Sequence, residues 1–110
     1  MKLRHFLLFA LPLIPAAGAL AAGVADVEAA RGHALAQAWC AGCHAVEAGA
    51  AQSRFADVPS FAAIARLPST TSPALHAFLS TPHSDMPDIK LKGEEIDAVV
   101  AYILSLKEKR

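Results

Sequence analysis

The stretch QAWCAGCHAVE, residues 37–47, holds the chain's only two cysteines, three residues apart, with a histidine directly after the second. On helical backbone, residues at i, i+3 and i+4 share one face. Cys40, Cys43 and His44 therefore present two thiols and an imidazole to the same side. The fold has to place that side against whatever the three groups hold, and the remaining residues have to wall it in.

Little chain is available for the purpose. Its 110 residues are enough for one small domain. The opening MKLRHFLLFALPLIPAAGALAAG divides as a secretory leader does: Lys2 and Arg4 form the positive start, residues 6–14 the apolar centre, and Ala19-Leu20-Ala21 a small-x-small cleavage site. A retained membrane anchor is the rival reading, since no charge falls between Phe6 and Asp26. Against it, the strongly apolar run is well short of the ~20 residues a spanning helix needs. Pro12, Pro15, Gly18 and Gly23 also weaken a continuous helix there. The expectation is a signal peptide over 1–21, export to the periplasm and a domain over 22–110, with no stable membrane insertion once the leader is cleaved.

The whole chain is formally neutral, and loss of Lys2 and Arg4 leaves the domain slightly acidic. No basic run or patch points to nucleic acid. The 55% hydrophobic content leans heavily on alanine, and only 6% of residues are aromatic. So small a domain with so thin a core ordinarily needs a staple or a bound metal. Something other than side chains is expected to fill the interior.

The pattern predicts a helix over 26–41, with Asp26 as N-cap, Glu28 at the positive end of the dipole, and Val27, Ala30, Ala34, Leu35 and Ala38 as its apolar face. Gly32 in its middle costs ~1 kcal/mol against alanine, which is either a tolerated defect or the mark of a second helix crossing there. Residues 47–58 lose the pattern and read as a surface loop. A short helix follows at 60–67. The next starts with Ser72 as N-cap and Pro73 at the first helical position, carries Leu75, Phe78 and Leu79 as its stripe, and ends at Pro82. Pro82 and Pro87 exclude regular helix between them. The last segment is the clearest: Ile96, Val99, Val100, Ile103 and Leu104 repeat at helical spacing. Lys92 or Gly93 caps it, Glu94, Glu95 and Asp97 crowd its first turn, and Lys107, Lys109 and Arg110 its last. No segment alternates as a strand does. The reading is one all-α domain of about four helices.

Four chemistries use two thiols and an imidazole. A plain disulfide suits an exported protein, but it has no use for His44, and the loop it closes is too short to constrain the unfolded chain much. A thioredoxin-type redox pair belongs beside a βαβ unit, and no strand is available. A zinc site wants four ligands, and His76 and His83 arrive without a second cysteine pair. Covalent attachment of c-type haem is what C-x-x-C-H signals. Both thiols meet vinyl groups along one side of the porphyrin while His44 turns to the iron, and the haem fills the thin interior.

The second axial position of such an iron is commonly a methionine, which raises the reduction potential. Met86 is the only methionine beyond the leader. A lone methionine is usually core filler. Here the neighbours are Asp85, Pro87 and Asp88, a poor setting for a core residue, and Pro87 holds Met86 extended. His83 is the lesser candidate for that position, and more often such a loop histidine is a solvated side chain.

CAGCH near the first helix, MP in the later loop and a final helix reading EEIDAVVAYILSL together resemble the small class I (monohaem) c-type cytochromes over essentially all of 22–110. The resemblance implies a cytochrome c-like orthogonal helix bundle around one haem c, covalently bound through Cys40 and Cys43, with iron held by His44 and Met86. It implies that the first and last helices cross at Gly32 against Tyr102. It also implies that a proline carbonyl, matched here by Pro59, accepts the N–H of the iron-bound histidine. His33 and His76 read as surface residues. Trp39 lies either against the haem edge or in ordinary packing, and Arg54 is within possible reach of a propionate.

An iron ligated on both faces changes oxidation state without binding substrate. The expectation is therefore a monomeric periplasmic electron carrier, not an enzyme, exchanging single electrons with a dehydrogenase, an oxidase or another cytochrome. The rivals are a gas sensor or haem enzyme with a displaceable Met86, and a fixed electron-transfer subunit of a larger oxidoreductase. No residue set suited to acid–base work is evident beside the haem; the nearest, His83 and Asp85, fall in the methionine loop itself.

Overall fold

The computed structural model describes residues 10, 12, 17–50, 52–82 and 85–107, and for 17–22 the backbone alone. Among the described residues there are four helices: α1 (Ala17–Trp39), α2 (Phe61–Arg66), α3 (Ser72–Ser80) and α4 (Gly93–Ser105). No strand occurs among the described residues, so the architecture is all-α.

Helix α4 forms where the periodicity predicts it. Ile96, Val99, Val100 and Ile103 are all buried, Val99 at 1% exposure, and Leu104 packs at the edge of the cluster. Each such valine or isoleucine removed from water stabilises the fold by ~1.5–3 kcal/mol. Lys92 is the N-cap, and its backbone N–H donates to the Glu95 carboxylate at 2.7 Å. α4 is the hub: α1, α2 and α3 each pack on it and not on one another.

Helix α1 departs from the expectation at both ends and in its face. It starts at Ala17, so Asp26 lies inside the helix and caps nothing. Alanine, the best helix former, surrounds Gly18 and Gly23 and carries the helix through both. The face is also rotated. Val27 is 67% exposed, and Ala30, Ala34 and Ala38 face solvent. Gly32 and Ala36 are buried instead, with Ala29, His33 and Leu35 partly so. The reason is size. A Cβ on Gly32 would lie 1.8 Å from the Ala98 carbonyl oxygen and 2.8 Å from Tyr102 Cβ, so α1 meets α4 backbone to backbone. Only the face carrying Gly32 and Ala36 permits that approach, whatever its hydrophobicity.

The two short helices carry the caps they need. Ser60 Oγ accepts from Ala63 N–H at 3.1 Å and opens α2. For α3 the cap is Thr71 rather than Ser72: its Oγ1 accepts from Ala74 N–H at 3.3 Å, which moves Pro73 one place into the helix. Leu75 is buried and Leu79 half-buried, but Phe78, the third residue of the expected stripe, is 52% exposed.

Most of the leader, with His83, Lys109 and Arg110, lies outside the described residues. Among those described, no helix is long and apolar enough to cross a membrane.

Candidate functional site

Helix α1 stops at Trp39, so Cys40, Cys43 and His44 occupy the turn after it rather than the helix itself. The N–H groups of Cys40 and Ala41 both donate to the Ala36 carbonyl, at 2.8 and 2.9 Å, which closes the helix. Those of Cys43 and His44 then both donate to the Cys40 carbonyl, at 3.1 and 2.9 Å. The last of these has the i to i−4 span of an α-helix, so the backbone keeps helical pitch across the motif after the regular helix has ended.

Both thiols are free, Cys40 buried and Cys43 half-buried. Burial pushes the Cys40 thiol up from its ordinary pKa. A metal-bound thiolate is penalised in such a place, whereas an uncharged thioether is not. Among the described residues no three His, Cys, Asp or Glu side chains gather into a metal site.

His44 is held through its outer nitrogen. Nδ1–H donates to the Pro59 carbonyl at 2.6 Å, and the ring stands 5.4 Å from that of Phe61. Because Ser60 caps α2, the helix start fixes where the Pro59 carbonyl points. The bond settles the tautomer and leaves Nε2 as the nitrogen available to a metal.

The residues after His44 are anchored as firmly. Ala45 N–H donates to Ser53 Oγ at 2.9 Å, and the Ala45 carbonyl accepts from Phe61 N–H at 2.9 Å. The buried Val46 carbonyl accepts from Tyr102 Oη–H at 2.5 Å. The Glu47 carboxylate accepts from His33 Nε2–H at 2.9 Å and from Gln37 at 3.0 Å, and these two bonds hold its pKa below the usual carboxylate value. Tyr102 stacks on the His33 ring at 4.8 Å, and burial, with Glu47's charge secondary, raises its phenol pKa. His33 is therefore a half-buried brace between α1, the loop and α4, not merely a surface residue.

An open cleft lies against Cys40. Leu79, Thr81 and Pro82 line one part, and Met86, Pro87, Asp88, Ile89 and Leu91 the rest. Cys40 and Met86 thus share one cleft although far apart in sequence. Short i to i−2 bonds, Ile89 N–H to the Pro87 carbonyl at 2.8 Å and Leu91 N–H to the Ile89 carbonyl at 3.0 Å, hold the far wall without a helix. These groups fit the cofactor implied by C-x-x-C-H: two unpaired thiols, an imidazole with one nitrogen spoken for, and an apolar cleft with a thioether on its wall. Pro59 and His44 come together as expected. Trp39 is 58% exposed beside Cys40, and the Arg54 guanidinium lies over the Phe55 ring at 5.8 Å. His76 is not a loose surface residue either: Nε2–H donates to Asp97 at 2.6 Å and Nδ1–H to the Ser72 carbonyl at 2.8 Å, tying α3 to α4.

Sequence reasoning passed over Ile89 and Leu91, whose alternation in DIKLK after a proline was the available signal for an extended wall. It also passed over Ser53, Glu47 and Gln37. Nothing in the local pattern marks these, because each acts on a residue eight or more positions away.

A family model described as "Cytochrome C oxidase, cbb3-type, subunit III" matches residues 27–103. A protein of Bradyrhizobium diazoefficiens named cytochrome c-552 is 40% identical over 103 residues, which is 94% of this chain and 98% of that protein. No solved structure gives a significant match.

Proposed function

The chain belongs to the small monohaem c-type cytochromes, electron-transfer proteins that bind haem c covalently, and from that premise we propose that it is a periplasmic carrier passing single electrons between redox proteins, its iron held by His44 and Met86. The leader over 1–21 is read as the export signal, removed after Ala21. The observation that carries the proposal is the pairing of His44, tied by Nδ1–H to the Pro59 carbonyl, with a Met86 that lines the same cleft as Cys40.

Haem c, when bound, supplies an iron that takes up and releases one electron. The chain's own residues do the rest. Cys40 and Cys43 anchor the group as thioethers, so it is not lost outside the cell membrane. The bond from His44 Nδ1–H to Pro59 keeps the ring oriented and makes it a better donor. Met86 offers a neutral, soft sulfur, which favours the reduced state and raises the potential. Leu79, Ile89 and Leu91 exclude water from the cleft, with the same effect on charge. A dehydrogenase, an oxidase or another cytochrome would meet the protein through a small transient contact, with the protein as a monomer.

A second reading has one observation in its favour: the matching family model is named for an oxidase subunit. There the protein would be a fixed electron-transfer subunit, and it would co-purify with a large partner at moderate salt.

The deciding experiment is the optical spectrum of the holoprotein, with carbon monoxide added to the reduced form, for the wild type and Met86→Ala. The expected wild type is low-spin, shows the weak far-red sulfur-to-iron band and ignores the gas. Met86→Ala loses the band, binds carbon monoxide and has a lower potential. A wild type that binds the gas promptly puts a sensor or haem enzyme first.

A further inference from the structure

We infer that Ser53 is a positioning residue for the iron-binding histidine: its hydroxyl holds the backbone that sets how squarely His44 meets the Pro59 carbonyl, and thereby tunes the reduction potential. The inference rests on the reading of His44 as an axial ligand.

Ser53 sits in the stretch that carries no sequence pattern, yet its side chain is half-buried and its Oγ accepts from the N–H of Ala45 at 2.9 Å. Ala45 directly follows His44. Its carbonyl is taken by Phe61 N–H at 2.9 Å, and two residues before Phe61 the Pro59 carbonyl receives His44 Nδ1–H at 2.6 Å. Residues 44–45 and 59–61 are thus clasped by two bonds, and Ser53 ties the same short segment to the loop through a separate bond to Ala45 N–H. Further along, Tyr102 fixes Val46, while His33 and Gln37 fix Glu47. Among these anchors Ser53 is distinctive. Phe61 and Tyr102 belong to the buried core, and Glu47 brings a charge that acts on the iron by itself. Ser53 is neutral and outside that core cluster, so its hydroxyl acts on the loop through one hydrogen bond.

Without that bond the His44–Ala45 peptide, whose N–H it holds, is freed to turn while the Ala45 carbonyl stays tied to Phe61. His44 turns with it, and its Nδ1–H bond to Pro59 lengthens. A weaker bond makes the imidazole a poorer donor and favours ferrous over ferric iron. The potential therefore rises.

The test compares holoprotein carrying Ser53→Ala, Ser53→Thr and wild-type residues, by redox titration and by proton NMR of the ferrous form. Ser53→Ala is expected to raise the ferrous-to-ferric ratio at a fixed applied potential by about threefold, the scale of losing part of one hydrogen bond. The His44 Nδ1 proton should exchange faster with water. Ser53→Thr, which keeps a hydroxyl, should restore both. If Ser53→Ala lowers stability but leaves potential and exchange unchanged, Ser53 only supports the fold and the inference falls. If the wild-type His44 ring protons lack the large upfield shift of an axial ligand, the ligand reading fails first and the inference with it.

Discussion

Replacing Gly32 by alanine adds one methyl group at the point where α1 and α4 touch. Its Cβ would stand 1.8 Å from the Ala98 carbonyl oxygen and 2.8 Å from Tyr102 Cβ. Ordinary carbon–oxygen contact is ~3.3 Å, so the helices have to part by roughly 1.5 Å. Ala98 is fully buried and the atom struck is backbone, so no side chain can swing aside. Overpacking of this kind costs ~3 kcal/mol, the upper end of its usual range. Alanine's better helix propensity returns ~1 kcal/mol. The net loss of ~2 kcal/mol is a sizeable part of a small domain's stability and corresponds to a melting temperature lower by about 10 °C. Thermal unfolding of the ferric holoprotein, followed by circular dichroism, reads this directly. Gly23→Ala is the opposite-sign control: nothing lies within 4 Å of a Cβ there, so the change should be neutral or slightly stabilising. A Gly32→Ala protein that melts at or above the wild-type temperature would show that the helices do not meet at this glycine.

Tyr102→Phe leaves the buried Val46 carbonyl without its phenol donor. It should cost ~1–3 kcal/mol in denaturant unfolding, and an unchanged midpoint would mean that water or another group replaces the hydroxyl. His76 donates from both ring nitrogens, to Asp97 and to the Ser72 carbonyl, an arrangement that requires the charged ring, and its pKa is raised by Asp97 first and Ser72 second. A raised folded pKa stabilises fully below the ordinary value of 6.5 and loses that contribution as pH climbs through the folded one. The stability gap between wild type and His76→Gln should therefore be fully open below 6.5 and close as pH climbs through the raised folded pKa, more weakly at high salt. A gap that does not vary with pH would show that the pair carries no linked proton.

Local pattern sufficed wherever the responsible forces act within a few residues. The stripe Ile96, Val99, Val100, Ile103 defines α4 because one helix turn brings those side chains to one face, and the burial follows. Cys40, Cys43 and His44 identify their own chemistry because three groups within one turn suit few partners. The short helix expected over 60–67 was legible for the same reason. The Ser72 cap was misplaced by one residue because Thr71 and Ser72 are equivalent on paper, and only the hydroxyl's reach to Ala74 separates them.

The face of α1 was not legible in this way. Hydropathy points to Val27, Ala30, Ala34, Leu35 and Ala38, yet of these only Leu35 packs against the core, because close approach to Ala98 rewards the absence of a side chain at Gly32 more than burial of a few methyl groups. The clasp around His44 is likewise invisible locally. Pro59, Ser53 and Phe61 reach residues 44–45 across a loop of no pattern, through single hydrogen bonds that depend on where α2 begins. The same holds for the cleft, where Met86, 46 residues after Cys40 in sequence, lines the same space as it only in the folded chain. Residue type and short-range spacing therefore carried the cofactor chemistry and the helices. The long-range contacts, which depend on shape and loop closure rather than on hydrophobic period, set which face packs and how the histidine is held.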